Sequence, residues 1–147
     1  TTTIAKEDAI VITISADSKI YLIIGGNAHR DAIFNNINKD RSLGLSDADM
    51  QQLRKMDYIG FPLDKLRQAL ELGTATTKFN GIPADSSNNE LSYWIKAVVE
   101  SVPKDEMNIL VKNNSSNDFK TFKKVANALK QNDIYKFKIV TEPADQQ

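Results

Sequence analysis

The chain has 147 residues with 19 Lys+Arg against 19 Asp+Glu, so its formal net charge is zero, and 41% of its residues are hydrophobic. Those values belong to one globular domain rather than a disordered chain, and a neutral balance argues against a nucleic-acid binder, whose affinity rests on phosphate neutralisation. The absence of Cys and the single His exclude disulfide frameworks, thiolate nucleophiles and His-based or Cys-based metal clusters, so no cofactor is expected.

No apolar run of about 18 residues is present, so nothing in the sequence itself is expected to span a membrane. Residues 1–50 carry five basic and seven acidic side chains, whereas 96–138 carry nine Lys against five acids. The C-terminal third is therefore mildly basic, a solvated lysine face in the plainest reading.

The first ordered segment is 9–24. Ile10, Ile12 and Ile14 alternate with Val11, Thr13 and Ser15, and Ile20, Leu22 and Ile24 resume the alternation after Asp17-Ser18. Two alternating runs around a short polar break predict a β-hairpin, with Ser18 a poor residue where positive φ is needed.

From 25 to 86 the chain changes character. Gly25-Gly26-Asn27 opens a polar loop that lacks the spacing of a phosphate-binding fingerprint, and His29 reads as a loop residue rather than a ligand or base. Ser46 with Asp49 predicts a capped helix carrying Met50, Leu53 and Met56, broken at Gly60-Phe61-Pro62. Leu63, Leu66 and Leu70 mark a second short helix ending at Gly73, and 78–88 is expected as a loop. Neither helix has an apolar surface large enough for a core of its own, so 25–86 is expected as a helical insertion packed on one domain.

The last sixty residues are the most legible. Ser87 and Glu90 suggest a capping box, and Leu91, Trp94, Ile95, Val98, Val99 and Val102 fall on one helical face ended by Pro103. Met107, Ile109 and Val111 alternate as a strand, and Phe119, Phe122, Val125, Ala126 and Leu129 line the next helix. Tyr135, Phe137 and Ile139 alternate with Lys136, Lys138 and Val140 as a closing strand. Strand, helix and strand in so short a stretch predict a right-handed βαβ unit with parallel strands. The expected fold is α+β: a mixed sheet from an N-terminal hairpin and a C-terminal βαβ unit, helices on one face, plus the insertion. Its core is expected at 9–24 and 87–141, with a tail at 142–147.

Three stretches in this order resemble the periplasmic domain of the ExbD/TolR biopolymer-transport family. Val11–Tyr21 is similar to that family's opening hairpin, with Ser18 where Gly is usual. Ile109-Leu110-Val111-Lys112, a polar loop, Phe119 and Val125–Lys130 resemble its strand, loop and helix, with Asn113-Asn114 in place of a common Ala-Asp. Lys136–Pro143 resembles its closing strand and Val-Thr-Glu-Pro-like exit. The insertion is longer than in the compact family form and resembles a long-loop, ExbD-like branch.

The resemblance implies a non-enzymatic subunit of a proton-motive-force motor, the periplasmic domain of a single-pass inner-membrane protein of a Gram-negative bacterium. It implies a transmembrane helix upstream of Thr1, an ExbB/TolQ-like channel partner, a TonB/TolA-like periplasmic partner and a homodimer. Partner or dimer contact is expected at Tyr135, Lys136, Phe137, Lys138, Ile139 and Val140, because a short β-prone closing strand on an open sheet offers an edge for pairing. Two rival readings stand beside it: a TolR-like domain that grips peptidoglycan, and a small-ligand α/β domain. The latter would hold an anion at Asn113, Asn114, Ser115 and Ser116, in the loop at 112–117 between strand and helix. The plain reading of that loop is helix capping. The carboxylate pairs Asp47/Asp49 and Asp105/Glu106 read as helix-terminus and turn residues, and Trp94 as core.

Overall fold

A computed structural model describes residues 9–24, 28–72, 80–114 and 119–141. Residues 25–27 and 115–118, and with them the Gly25-Gly26-Asn27 loop and Ser115-Ser116, lie outside the described residues, as does the tail at 142–147.

Period-2 burial builds the sheet. Strand β1 (Ile10–Ile14) buries Ile10, Ile12 and Ile14 and leaves Val11 and Thr13 half-buried on the other face. Strand β2 (Ile20–Ile23) runs antiparallel to it, with Ile14 opposite Ile20. The connection is five residues, Ser15 to Lys19, rather than a two-residue break. The Ser18 amide donates to the Ser15 carbonyl (2.9 Å), and the Ser15 amide donates to the Lys19 carbonyl (2.8 Å). Ser18 takes φ 66°, the left-handed conformation that a Gly would adopt without strain.

The segment expected as a polar loop after β2 contains a helix, α1 (Arg30–Asp40). Its three buried residues are Ile33, Phe34 and Ile37, among three Asn that favour other conformations. Tertiary packing overrides that weak propensity. The Phe34 ring meets Trp94 edge-on, with centroids 6.3 Å apart, and Asn36 Nδ2 donates to Ser101 Oγ at 2.7 Å.

Helix α2 (Asp47–Arg54) carries the expected box, with Ser46 Oγ accepting from the Asp49 amide and Asp49 Oδ2 accepting from the Ser46 amide. A 3-10 turn at Leu63–Lys65 leads into α3 (Leu66–Leu72). Met50, Leu53, Met56, Ile59, Phe61, Leu66, Ala69 and Leu70 from this region belong to the same buried cluster as Ile12, Leu22 and Trp94. Buried residues of the inserted segment 25–86 thus join those of 9–24 and 87–141 in one hydrophobic cluster.

The expected loop at 78–88 holds a two-stranded hairpin, β3 (Ala84–Asp85) with β4 (Asn88–Asn89). Helix α4 (Glu90–Ser101) is capped by Asn89, whose side chain accepts from the Ser92 amide at 3.2 Å, and not by a Ser87/Glu90 box. Glu90 instead lies buried and its Oε1 accepts from the Leu63 amide at 2.7 Å, tying α4 to the inserted region. After Pro103 come a 3-10 turn (Lys104–Glu106), β5 (Ile109–Asn113), α5 (Phe119–Gln131) and β6 (Lys138–Thr141). Phe119, expected on the buried stripe of α5, is 77% exposed; Thr121, Val125, Ala128 and Leu129 form that stripe.

The sheet order is β2-β1-β5-β6. β1 is parallel to β5 and β5 is parallel to β6, so the fold is α+β with a mixed sheet joining a hairpin to a βαβ unit. α5 packs on β1, and α4 packs on both α1 and α5.

Candidate interaction surface at the β6 edge

The sheet has two outer strands, and they end differently. On β2, Leu22 exchanges both backbone hydrogen bonds with Ile59, at 2.8 and 2.7 Å, and the Ile20 carbonyl accepts from the Ile82 amide at 2.9 Å. Gly81 makes this approach possible. It sits at φ +82°, and a Cβ there would lie 2.8 Å from the Ile20 nitrogen and 2.9 Å from its oxygen. Backbone from the inserted region thus covers the hairpin edge.

β6 is the other outer strand, and among the described residues nothing pairs beyond it. Which of its groups face outward follows from the ladder. The Ile10 amide donates to the Asn108 carbonyl and the Asn114 amide to the Ile14 carbonyl, so even-numbered residues of β5 face β1. Its odd-numbered residues then face β6, where Val111 stands opposite Ile139. In a parallel ladder of that phase, Lys138 and Val140 bond back to β5, and the Ile139 N–H and C=O point away from the sheet. An open N–H and C=O on an exposed strand form a template for another extended chain.

The side chains of this segment divide. Phe137 is half-buried against the core and Val140 half-buried on the sheet, whereas Lys136 and Lys138 are exposed. Tyr135 is 66% and Ile139 55% exposed, unusual for large apolar groups. Tyr135, Lys136 and Phe137 precede the strand rather than belong to it, because β6 begins at Lys138.

Beside the start of this strand lies a groove of about 790 Å³. One wall is the end of α4 and the turn after it (Val99, Val102, Lys104, Met107), and the other is the run from Asn132 to Lys136. The second wall is well anchored. Asn132 Nδ2 donates to the Ser92 and Ala128 carbonyls at 3.2 and 3.1 Å, and the Ile134 amide donates to the Leu129 carbonyl at 3.0 Å. Asp133 at φ 60° supplies the left-handed residue that ends α5. Residue spacing had placed Val99 on the buried face of α4. It is 41% exposed because eight residues advance a helix about 80° past Leu91, the outer flank of the stripe.

The other singled-out residues fall elsewhere. Asn113 ends β5 opposite Ile14 and Thr141, and Asn114 Oδ1 is buried without a hydrogen-bond partner among the described residues. His29 precedes α1 and its Nε2 lies 2.7 Å from Glu106 Oε1, joining that turn to the one after α4. The Ser46 amide and hydroxyl hold the Asp49 carboxyl below its usual range, and Arg67 adds to this from 3.5 Å. Trp94 is fully buried in the core. A pair that sequence spacing did not reveal is Asp40 with Glu100, at the ends of α1 and α4. The hydrogen bond to the neighbouring Asp40 carboxyl, followed by desolvation and repulsion from Asp40, raises the pKa of the exposed Glu100 against the opposing pull of Lys96 and Lys39. Among the described residues no group of three or more His, Cys, Asp or Glu is placed to hold a metal ion, and no helix is long and apolar enough to cross a membrane.

No family model matches the chain, and neither a curated protein nor a solved structure matches it.

Proposed function

We propose that this chain is a partner-binding domain of the ExbD/TolR type, which acts by contact rather than by catalysis. In this reading it is the periplasmic output domain of a proton-motive-force motor with an ExbB/TolQ-like channel partner, and it passes motion to a TonB/TolA-like protein. The order hairpin, helices, βαβ supports the reading, since it follows the three stretches that carry the resemblance. The observation that carries it is the contrast between edges: the hairpin edge is covered by Ile59 and Ile82, whereas β6 presents the Ile139 backbone and an exposed Ile139 side chain. Main-chain pairing along such an edge transmits force well, because several hydrogen bonds load together and alternate side chains set selectivity.

These 147 residues carry no Cys, so a thiol introduced among them reports on one position of this domain. The experiment places Ile139→Cys in the gene as it stands in its own genome, with Asp64→Cys in an exposed turn as the control. A crosslink from 139 to itself or to a periplasmic protein, absent at 64 and sensitive to collapse of the proton gradient, is the expected result. Equal or absent crosslinking at both positions overturns the reading. The genomic sequence upstream of Thr1 supplies an independent check, since an apolar stretch of about 20 residues carrying one Asp is expected there.

A further inference from the structure

We infer that the groove beside β6 takes the large apolar side chains of an extended partner segment whose flanking residues are acidic. The inference rests on the edge-pairing reading and names the chemistry of what pairs.

Three observations lead there. The first is continuity: Asn132–Lys136 form one wall of the groove and run directly into β6, so a segment paired with the Ile139 backbone passes the groove mouth. The second is the apolar lining. Val99, Val102 and Met107 from one wall and Ile134 from the other supply it, and Tyr135 in the second wall has its side chain largely in solvent. At about 790 Å³ the space falls in the range of clefts that bury a ligand of several apolar groups. The third is charge. Lys104 rises from one wall and Lys136 from the other, with Lys138 next along the strand, against Asp133 as the acid among the lining residues. Lysines on both sides of an apolar lining favour carboxylates on both sides of an apolar anchor, and they disfavour basic segments.

The test selects a phage-displayed library of random 12-residue peptides on this chain, then measures synthetic copies of the enriched peptides by fluorescence anisotropy. Peptides with one or two large apolar residues flanked by Asp or Glu are expected. Binding should weaken at least tenfold in Val99→Glu, several-fold in Lys136→Glu, and further with added salt. Both sites are exposed, and unchanged circular dichroism and melting of the variants would confirm intact folds. No enrichment, enrichment of basic peptides, or binding indifferent to both substitutions overturns the inference. Ile139→Pro separates the two readings, with Ile139→Ala as the side-chain control. Binding lost in Val99→Glu but kept in Ile139→Pro leaves the groove and removes strand pairing. The reverse pattern leaves the edge and removes the groove. Sedimentation of the chain alone completes the set: self-association abolished by Val99→Glu would make the occupant a second copy and overturn the assignment to an acidic partner.

Discussion

Phe61→Ala is the sharpest test of whether the inserted region belongs to the core. Phe61 is fully buried and lies two residues after Ile59, whose backbone closes the β2 edge on Leu22. Removing a buried Phe side chain costs about 3–5 kcal/mol, through lost transfer energy plus a cavity that relaxes only in part. With a urea slope of about 1–3 kcal/mol per molar for a small domain, the unfolding midpoint should fall by roughly 1–5 M. Trp94 is the single Trp and sits against Phe34 of α1, so its fluorescence reports the central core directly. Circular dichroism and Trp94 fluorescence should therefore shift together by the same amount. A loss below about 1 kcal/mol, or a Trp94 transition that stays in place while the helical signal moves, would show that the segment around Phe61 unfolds separately from the packed pair α1 and α4.

Three further outcomes are expected. Gly81→Ala should cost well over the roughly 1–2 kcal/mol of a left-handed non-Gly residue, because its Cβ meets the Ile20 backbone at 2.8 Å, whereas Gly44→Ala, at φ +68° with open space around it, should cost only about that; comparable melting temperatures for the two would refute the close approach. Ser18→Gly should stabilise by about 0.5–1 kcal/mol by relieving φ 66° in the hairpin turn, and a lower urea midpoint would refute it. Glu100→Gln should stabilise by a few tenths of a kcal/mol near neutral pH, the exposed site screening the repulsion from Asp40. The sign follows from linkage: the folded state holds the Glu100 proton to higher pH than the unfolded chain, so ionisation of Glu100 destabilises as pH rises through its folded pKa. The gain from Gln should therefore vanish in acid below the usual carboxylate range, and a gain that persists there would exclude this cause.

The sequence by itself determined the elements whose period or chemistry is local. The alternation at Ile10–Ile14 and Ile20–Leu22, the Ser46/Asp49 box, the apolar stripe of α4 and the strand-helix-strand run from Ile109 are each written in neighbouring residues, and they define the α+β class. Only the tertiary structure decided the rest. Helix α1 buries three apolar residues among three Asn, and it holds because it packs on α4, with Phe34 against Trp94, rather than by propensity. Glu90 looked like half of a capping box, but its carboxylate went to the distant Leu63 amide, a partner 27 residues away that no local pattern encodes. An open edge is expected near 135–140, but spacing alone does not decide it. Alternation says that 135–140 favours extended backbone, but whether a strand ends a sheet depends on what else pairs with it. The covering of β2 by Ile59 and Ile82 and the lack of any described partner beyond β6 depend on contacts between segments far apart in the chain, and hydrogen bonds of that kind leave no period in the sequence.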